Sequence, residues 1–262
     1  MGDRLFFGVS LQASWPEKFP KVRILEENER HFTLAFLGDC DFSKLEKELQ
    51  SIPECSFAIG CAGVFDKLIF LPKKSPRVVC YHARFFTDGI EEYQKKLFSY
   101  LQEKGFLKEQ DNHFLPHVTV GRKPEAFSEW KEMFFSIPFL TKELCLYKSL
   151  GNLKYEVVWK RPFTLAIEEI SHTADIAFII RGSDLKTLFF HAQLALCFAD
   201  VSMIPYIDWE KEVFSLDDIV IELNHMIARA DCEIGSSFKA VSFHGKIKEE
   251  KKLLVWEMVV DV

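Results

Sequence analysis

His31-Phe32-Thr33-Leu34 and His117-Val118-Thr119-Val120 are two copies of one pattern, His-x-Thr-aliphatic, set 86 residues apart. Each copy alternates apolar and polar residues as a β-strand does. Successive strand side chains point to opposite faces, so His31 and Thr33 share one face, as do His117 and Thr119. If the two strands face one cleft, two imidazoles and two hydroxyls meet there. That set suits phosphodiester hydrolysis without a metal. A neutral histidine takes a proton from the attacking water, and a protonated one gives a proton to the leaving oxygen. The threonine hydroxyls can donate hydrogen bonds to non-bridging phosphoryl oxygens as charge develops. Arg122, five residues after His117, is placed to reach a phosphate. A lone strand histidine is more often structural. Eight His and seven Thr among 262 residues give about 0.2 chance His-x-Thr matches, so two copies in matching contexts favour the functional alternative.

The elements that must carry these residues are legible in outline. Strands are expected over Arg4–Leu11 and 31–37, the second closed by Gly38-Asp39. A helical stretch capped by Ser43 follows, with Leu45, Leu49 and Ile52 on one face. Further strands are expected at Ser56–Val64, Leu68–Leu71 and Val78–Phe86, then a helix over Gly89–Lys104. Pro116–Gly121 reads as a strand, Glu125–Phe135 as a helix, and Leu144–Leu150 and Tyr155–Trp159 as strands. Strand-then-helix units occur twice, which predicts an α+β fold of two similar lobes. Beyond Pro162 the pattern predicts a strand at Asp175–Arg181 and a helix capped by Ser183. A second helix begins at Ser215 with Asp218 three residues on. Two strands, Phe238–Ile247 and Leu253–Val262, close the chain around a charged turn at Lys248–Lys252.

At roughly 150 residues per domain, 262 residues and 30.5 kDa suggest two domains. The charge pattern agrees. Residues 1–163 hold 24 Lys and Arg against 22 Asp and Glu, whereas residues 164–262 hold 9 against 17. A second part at −8 would repel a phosphate backbone, so nucleic acid is expected on the first part. Lys160-Arg161-Pro162-Phe163 is the expected joint. A composition of 48% hydrophobic and 27% charged residues excludes disordered and fibrous classes. No apolar run approaches the roughly 20 residues of a membrane span, and the first residues are too short and strand-like for a signal peptide. Seven cysteines, odd in number and without a Cys-x-x-Cys pair, read as reduced, mostly buried thiols of a cytoplasmic protein. Cys80-Tyr81-His82 has no second ligand pair and does not read as a zinc site.

With these residues in view, the first part resembles the two-histidine phosphoesterases, specifically the RNA 2′,3′-cyclic phosphodiesterases once described as 2′-5′ RNA ligases. The likeness covers roughly residues 3–162. It is carried by Arg4-Leu5-Phe6-Phe7-Gly8, His31-Phe32-Thr33-Leu34, Pro76-Arg77-Val78-Val79 and the run from Phe114 to Arg122. The resemblance implies a bilobal, pseudo-symmetric α+β domain that opens a terminal 2′,3′-cyclic phosphate to a 2′-phosphomonoester without a cofactor. It also implies His31 as proton donor and His117 as acceptor. One departure is Cys80, where relatives often carry Trp.

The second part is similar to archease. Glu168-Glu169-Ile170-Ser171-His172-Thr173-Ala174-Asp175-Ile176, Arg181-Gly182-Ser183-Asp184-Leu185 and Lys239-Ala240-Val241-Ser242-Phe243-His244 carry that likeness. It implies a small, non-catalytic α+β domain over 164–262 that assists a GTP-dependent RNA 3′-phosphate ligase in tRNA splicing and RNA repair. It implies a metal held by Asp175, Asp261 and Val262, a hard ion such as Ca²⁺ or Mg²⁺. On their own, two acids do not make a site, and His172 is expected to be structural. This part is short, 99 residues, with little between its second helix and last strands, and Ser237 stands where an acid usually precedes the Val-Lys-Ala run. Its core is therefore expected to be completed by the first domain. Two functions follow: a metal-independent RNA cyclic phosphodiesterase, or a non-catalytic RNA-ligase cofactor and RNA-end-binding protein. They conflict chemically, because opening a cyclic phosphate to a 2′-phosphate removes the end that such a ligase would join.

Overall fold

The computed structural model describes residues 3–55, 59–87, 89–107, 114–172, 175–243 and 245–262. The first unit is built from β1 (Asp3–Ala13), β2 (Arg23–Ile24), β3 (His31–Cys40), α1 (Phe42–Glu46), β4 (Ala62–Leu71), β5 (Val78–Phe85), α2 (Gly89–Glu103), β6 (His117–Arg122), α3 (Phe127–Met133), β7 (Ile137–Gly151) and β8 (Lys154–Pro162). All its strand pairings are antiparallel. One half-sheet places β1 between β3 and β7, and the other places β5 between β6 and β4. The halves join twice, through β4 against the start of β7 and through a single bridge between β3 and β6, Phe32 to Val118. The expected two lobes are thus present, and their one contact through the motif strands is at the motif itself. The core is aromatic, with Phe7, Phe32, Phe65, Phe139 and Trp130 fully or almost fully buried, which accounts for part of the chain's 26 Phe.

The second unit comprises β9 (Ile167–Ile170), β10 (Ile176–Gly182), α4 (Leu185–Ala199), α5 (Leu216–Ile234), β11 (Ala240–Val241), β12 (Lys248–Glu250) and β13 (Leu253–Asp261). Its sheet runs β11-β13-β10-β9, with β12 also on β13. Ten consecutive residues of α4, Leu188–Cys197, are buried. A helix covered on every side needs cover from more than one sheet. The first unit supplies it: Ile59, Ala62, Val64 and Leu140 belong to the same buried cluster as Leu188, Ala192, Leu196 and Trp256. Phe86 stacks on Phe190 at 5.2 Å between ring centres, and the Arg84 guanidinium lies 3.8 Å over Trp209. The backbone crosses too, with Gly60 N–H donating to the Thr164 carbonyl at 2.9 Å. The expectation that the first unit completes the second unit's core therefore matches this packing.

Several local expectations need correction. Asp41, not Ser43, caps α1: its carboxylate accepts from Ser43 N–H at 3.1 Å. Asp184, not Ser183, caps α4, accepting from Thr187 N–H at 2.7 Å, while the Ser183 hydroxyl donates to that carboxylate. A carboxylate is the stronger acceptor at the positive end of a helix. Ser215 caps α5 as expected, accepting from Asp218 N–H. The two strands expected over 56–71 form one, β4, with 56–58 outside the described residues. Of the strand expected over Phe238–Ile247, the described residues form strand at Ala240–Val241, where Asn224 on α5 takes both polar groups of Val241 with its side-chain amide. All seven cysteines are free, five of them buried. No helix among the described residues is long and apolar enough to cross a membrane.

His191 on α4 is buried, its Nδ1–H bonded to the Arg181 carbonyl at 2.5 Å, and burial pushes its pKa down to about 4. The unfolded chain takes up that proton near 6.5, so this group's stabilisation is full above pH 6.5 and is lost as pH falls towards 4. The loss is ~3 kcal/mol from the size of the shift. Urea unfolding across pH 7 to 4 should show a shallower stability decline in His191→Asn than in wild type. Equal slopes would contradict this.

Candidate active site

The Phe32–Val118 bridge sets the register of the two motif strands. Antiparallel pairing then puts His31 opposite Thr119 and Thr33 opposite His117, all four on the face away from the core. Diagonal neighbours in such a pair lie roughly 7–8 Å apart, a gap that one phosphate can fill. A cavity of about 590 Å³ opens here, lined by all four residues and by Arg122.

The two imidazoles are oriented alike. His31 Nδ1–H donates to the Glu29 carbonyl at 2.8 Å, and His117 Nδ1–H donates to the Leu115 carbonyl at 2.7 Å, each two residues upstream. A carbonyl only accepts, so Nδ1 carries the proton and Nε2 is the nitrogen available to a ligand. Burial drives both histidines towards the neutral form. His31 is pushed down to about 4, with the Glu29 bond opposing and His117 adding to the shift. His117 is lowered by burial first, with neighbouring His82 adding to it.

Strict alternation would turn Arg122 away from His117 and Thr119. It faces the same cavity because Val120 is an extra residue in β6: Val79 pairs with Gly121 but Cys80 with Thr119. The first motif repeats the device at Leu34, since Phe7 pairs with Ala35 but Gly8 with Thr33. The bulge carries Phe36 into the cavity as the counterpart of Arg122, each five residues after its histidine. Bulges re-aim side chains in this way. The buried Gln94 on α2 donates to the Leu34 carbonyl at 3.0 Å, satisfying a backbone group at the bulge.

The surroundings of the two histidines differ. His31 packs against Phe6, Tyr147 and Tyr155, with ring centres 4.8, 4.9 and 5.1 Å away. His117 lies opposite His82 on β5, whose Nδ1 is 2.6 Å from Asp66. Cys80 is fully buried, 3.5 Å from the Thr119 hydroxyl, so it offers no stacking surface. Gly8 is needed for close approach: a Cβ there would lie 2.8 Å from the Phe32 carbonyl and 3.3 Å from the His31 ring. Gly8→Ala is expected to lower kcat about tenfold or more by displacing His31. It should destabilise the fold by about 1–3 kcal/mol. Rate and urea midpoint together check this; an unchanged rate would mean that the ring is not held there.

Sequence reasoning missed Phe36, Tyr155 and Arg23 and gave no site role to Phe6 or Arg77, all of which line the cavity. Aligning the two motifs would have singled out Phe36 and Arg122 as counterparts. In the second unit, Asp175 falls opposite Asp261 by the register of β10 and β13. The Asp261 carboxylate accepts from Ser242 at 3.4 Å, and the Lys239 ammonium lies 2.6 Å from a main-chain oxygen of Val262. A hard divalent ion wants six or more oxygens. Here the third expected ligand, Val262, already holds the Lys239 ammonium on its main-chain oxygen, and Asp261 is engaged by Ser242. Among the described residues no group of three or more His, Cys, Asp or Glu could hold a metal ion. The expected Ca²⁺ or Mg²⁺ site does not fit this arrangement. His172 Nδ1 lies 3.7 Å from Asp175. Thr173, Ala174 and His244 lie outside the described residues.

No family model matches the chain. Among solved structures, a phosphoesterase matches at 22% identity and a TM-score of 0.45, over 63% of this chain and 99% of that one. E. coli LigT complexed with 3′-AMP matches at 23% and 0.45, over 63% and 99%. Two curated proteins, both named RNA 2′,3′-cyclic phosphodiesterase, are similar in sequence. The one from Methanocaldococcus jannaschii is 25% identical over 167 residues, 56% of this chain and 91% of the relative. The one from Thermotoga maritima is 30% identical over 128 residues, 46% of this chain and 64% of the relative, so the chain spans just under two thirds of that relative's length.

Proposed function

We propose that the first unit hydrolyses RNA 2′,3′-cyclic phosphate ends to 2′-phosphomonoesters by general acid–base catalysis, without a metal. The observation that carries this is the pair of histidines on bridged strands, each anchored through Nδ1 with Nε2 free, and each opposite the other's threonine. The names of the two curated relatives support the substrate class.

In the proposed reaction, His117 Nε2 takes a proton from water as its oxygen attacks phosphorus. The P–O3′ bond breaks, and O3′ receives a proton from His31 Nε2. Thr33 and Thr119 donate to the non-bridging oxygens, and Arg122 balances their charge. The reaction needs one proton on the histidine pair, whereas burial favours none. A phosphate anion about 4 Å away is worth about 4 kcal/mol at an effective dielectric of 20, roughly three pKa units. Substrate can therefore bring in the proton that the empty site excludes. The resemblance to the two-histidine phosphoesterases supplies the assignment of His31 as the acid. His82 beside His117 disfavours a second cation, which supports His117 as the base.

Protein treated with EDTA should convert a cyclic-phosphate-ended oligonucleotide at the untreated rate. A rate restored only by added divalent metal would exclude metal-free chemistry.

A second function is an archease-like cofactor for a GTP-dependent RNA 3′-phosphate ligase, which rests on the sequence likeness of the second unit. Ligase turnover with and without this chain tests it; equal turnover removes the partner.

A further inference from the structure

The two motif copies line the cavity with different chemistry five residues after each histidine. The first presents Phe36, half exposed, with Phe6 stacked behind it at 6.4 Å and the Arg4 guanidinium 5.1 Å over its ring. The second presents Arg122. Arg23 on β2 sits directly opposite Arg122, and Arg77 precedes Val78, its neighbour on β5. Lys123 N–H donates to the Arg77 carbonyl at 2.8 Å. These four cations and Arg4 line the same cavity as the histidines, and among the described residues no carboxylate does. Among the described residues the ion pairs involve other cations.

Like charges directly opposite one another destabilise a sheet, so the Arg23–Arg122 pair is unfavourable until an anion joins it. Arg23 is also held in place, its guanidinium donating to the Asn152 carbonyl at 3.2 Å at the tip of the β7–β8 hairpin. The cluster extends past the reacting phosphate: Arg122 serves that phosphate, and Arg23 and the residue before Val78, Arg77, flank it from the two neighbouring strands.

We propose that Arg23, Arg77 and Lys123 form a second phosphate subsite for the phosphodiester on the 5′ side of the reacting nucleotide. The cleft then prefers the end of an oligonucleotide to a mononucleoside 2′,3′-cyclic phosphate. It also has a direction, with the terminal nucleotide at the aromatic end beside His31 and the chain leaving over the cations beyond His117. This subsite rests on the hydrolytic function proposed above.

The test compares kcat/KM for a mononucleoside 2′,3′-cyclic phosphate with that for a dinucleotide bearing the same end. Wild type should favour the dinucleotide about tenfold or more, the scale of a charge-assisted hydrogen bond. Arg23→Gln and Arg77→Gln should remove most of that advantage and leave the mononucleoside rate within about twofold. Each should flatten the salt dependence of the dinucleotide reaction by about 0.7 in log–log slope, with thermal midpoints confirming folding. Equal wild-type rates on the two substrates would overturn the subsite. So would variants that slow both substrates alike, which would move the arginines to the reacting phosphate. Hydrolysis of neither substrate by wild type would instead overturn the hydrolytic function itself, and the subsite with it.

Discussion

Replacing His117 by alanine is expected to lower kcat/KM on a cyclic-phosphate-ended oligonucleotide by roughly 10²–10⁴, the range for one general acid or base. His31→Ala should cost as much. The double variant should lose far less than the product of the two, because each histidine is useful only while the other holds the complementary protonation state. Neither change should unfold the protein. Both side chains line the cavity rather than the core. Comparable kinetics in either variant and wild type, at matched urea midpoints, would mean that the imidazole is structural.

The second large effect concerns the joint between the units. Ending the chain after Phe163 uncovers Ile59, Val64, Leu140 and Phe86, which pack against the second unit's helices. Each apolar side chain of that size contributes about 1.5–3 kcal/mol when fully buried, so four returned to water approach the 5–15 kcal/mol that stabilises a whole domain. Residues 1–163 alone are therefore expected to aggregate, or to melt far below the full chain. Phe190→Ala, which removes the ring stacked on Phe86, should destabilise the intact protein by about 3–5 kcal/mol. A truncated first unit with the full chain's thermal midpoint would show that the shared core stabilises only the second unit.

How much of this was legible in the sequence follows from which signals are local. The histidine and threonine pairs could be found because strand alternation needs only neighbouring residues. Nothing local says that the strands meet at Phe32 and Val118; that contact joins residues 86 positions apart. Alternation is also misleading beyond the threonines, since it turns Phe36 and Arg122 away from the site. Two consecutive buried residues, Leu34-Ala35 and Val120-Gly121, mark the bulges that reverse it, and burial is visible only in the fold. Ser43 and Ser183 were plausible caps, displaced by nearby aspartates with stronger acceptors. The all-round burial of α4 was not legible, because the strands that complete its cover lie more than 40 residues upstream. The charge division between the halves anticipated where a cavity lined by cations would open, and the shortness of the second half anticipated that the first would complete its core.

The central claim is that His31 and His117 open a cyclic phosphate by breaking one particular bond. Phosphorus NMR of a 2′,3′-cyclic-phosphate-ended oligonucleotide, followed in the presence of chelator, reads that bond directly. The cyclic resonance should give way to a single 2′-phosphomonoester with wild-type protein and persist with His31→Ala or His117→Ala. A cyclic resonance that survives wild-type protein, or one converted to the 3′-phosphate, would contradict it.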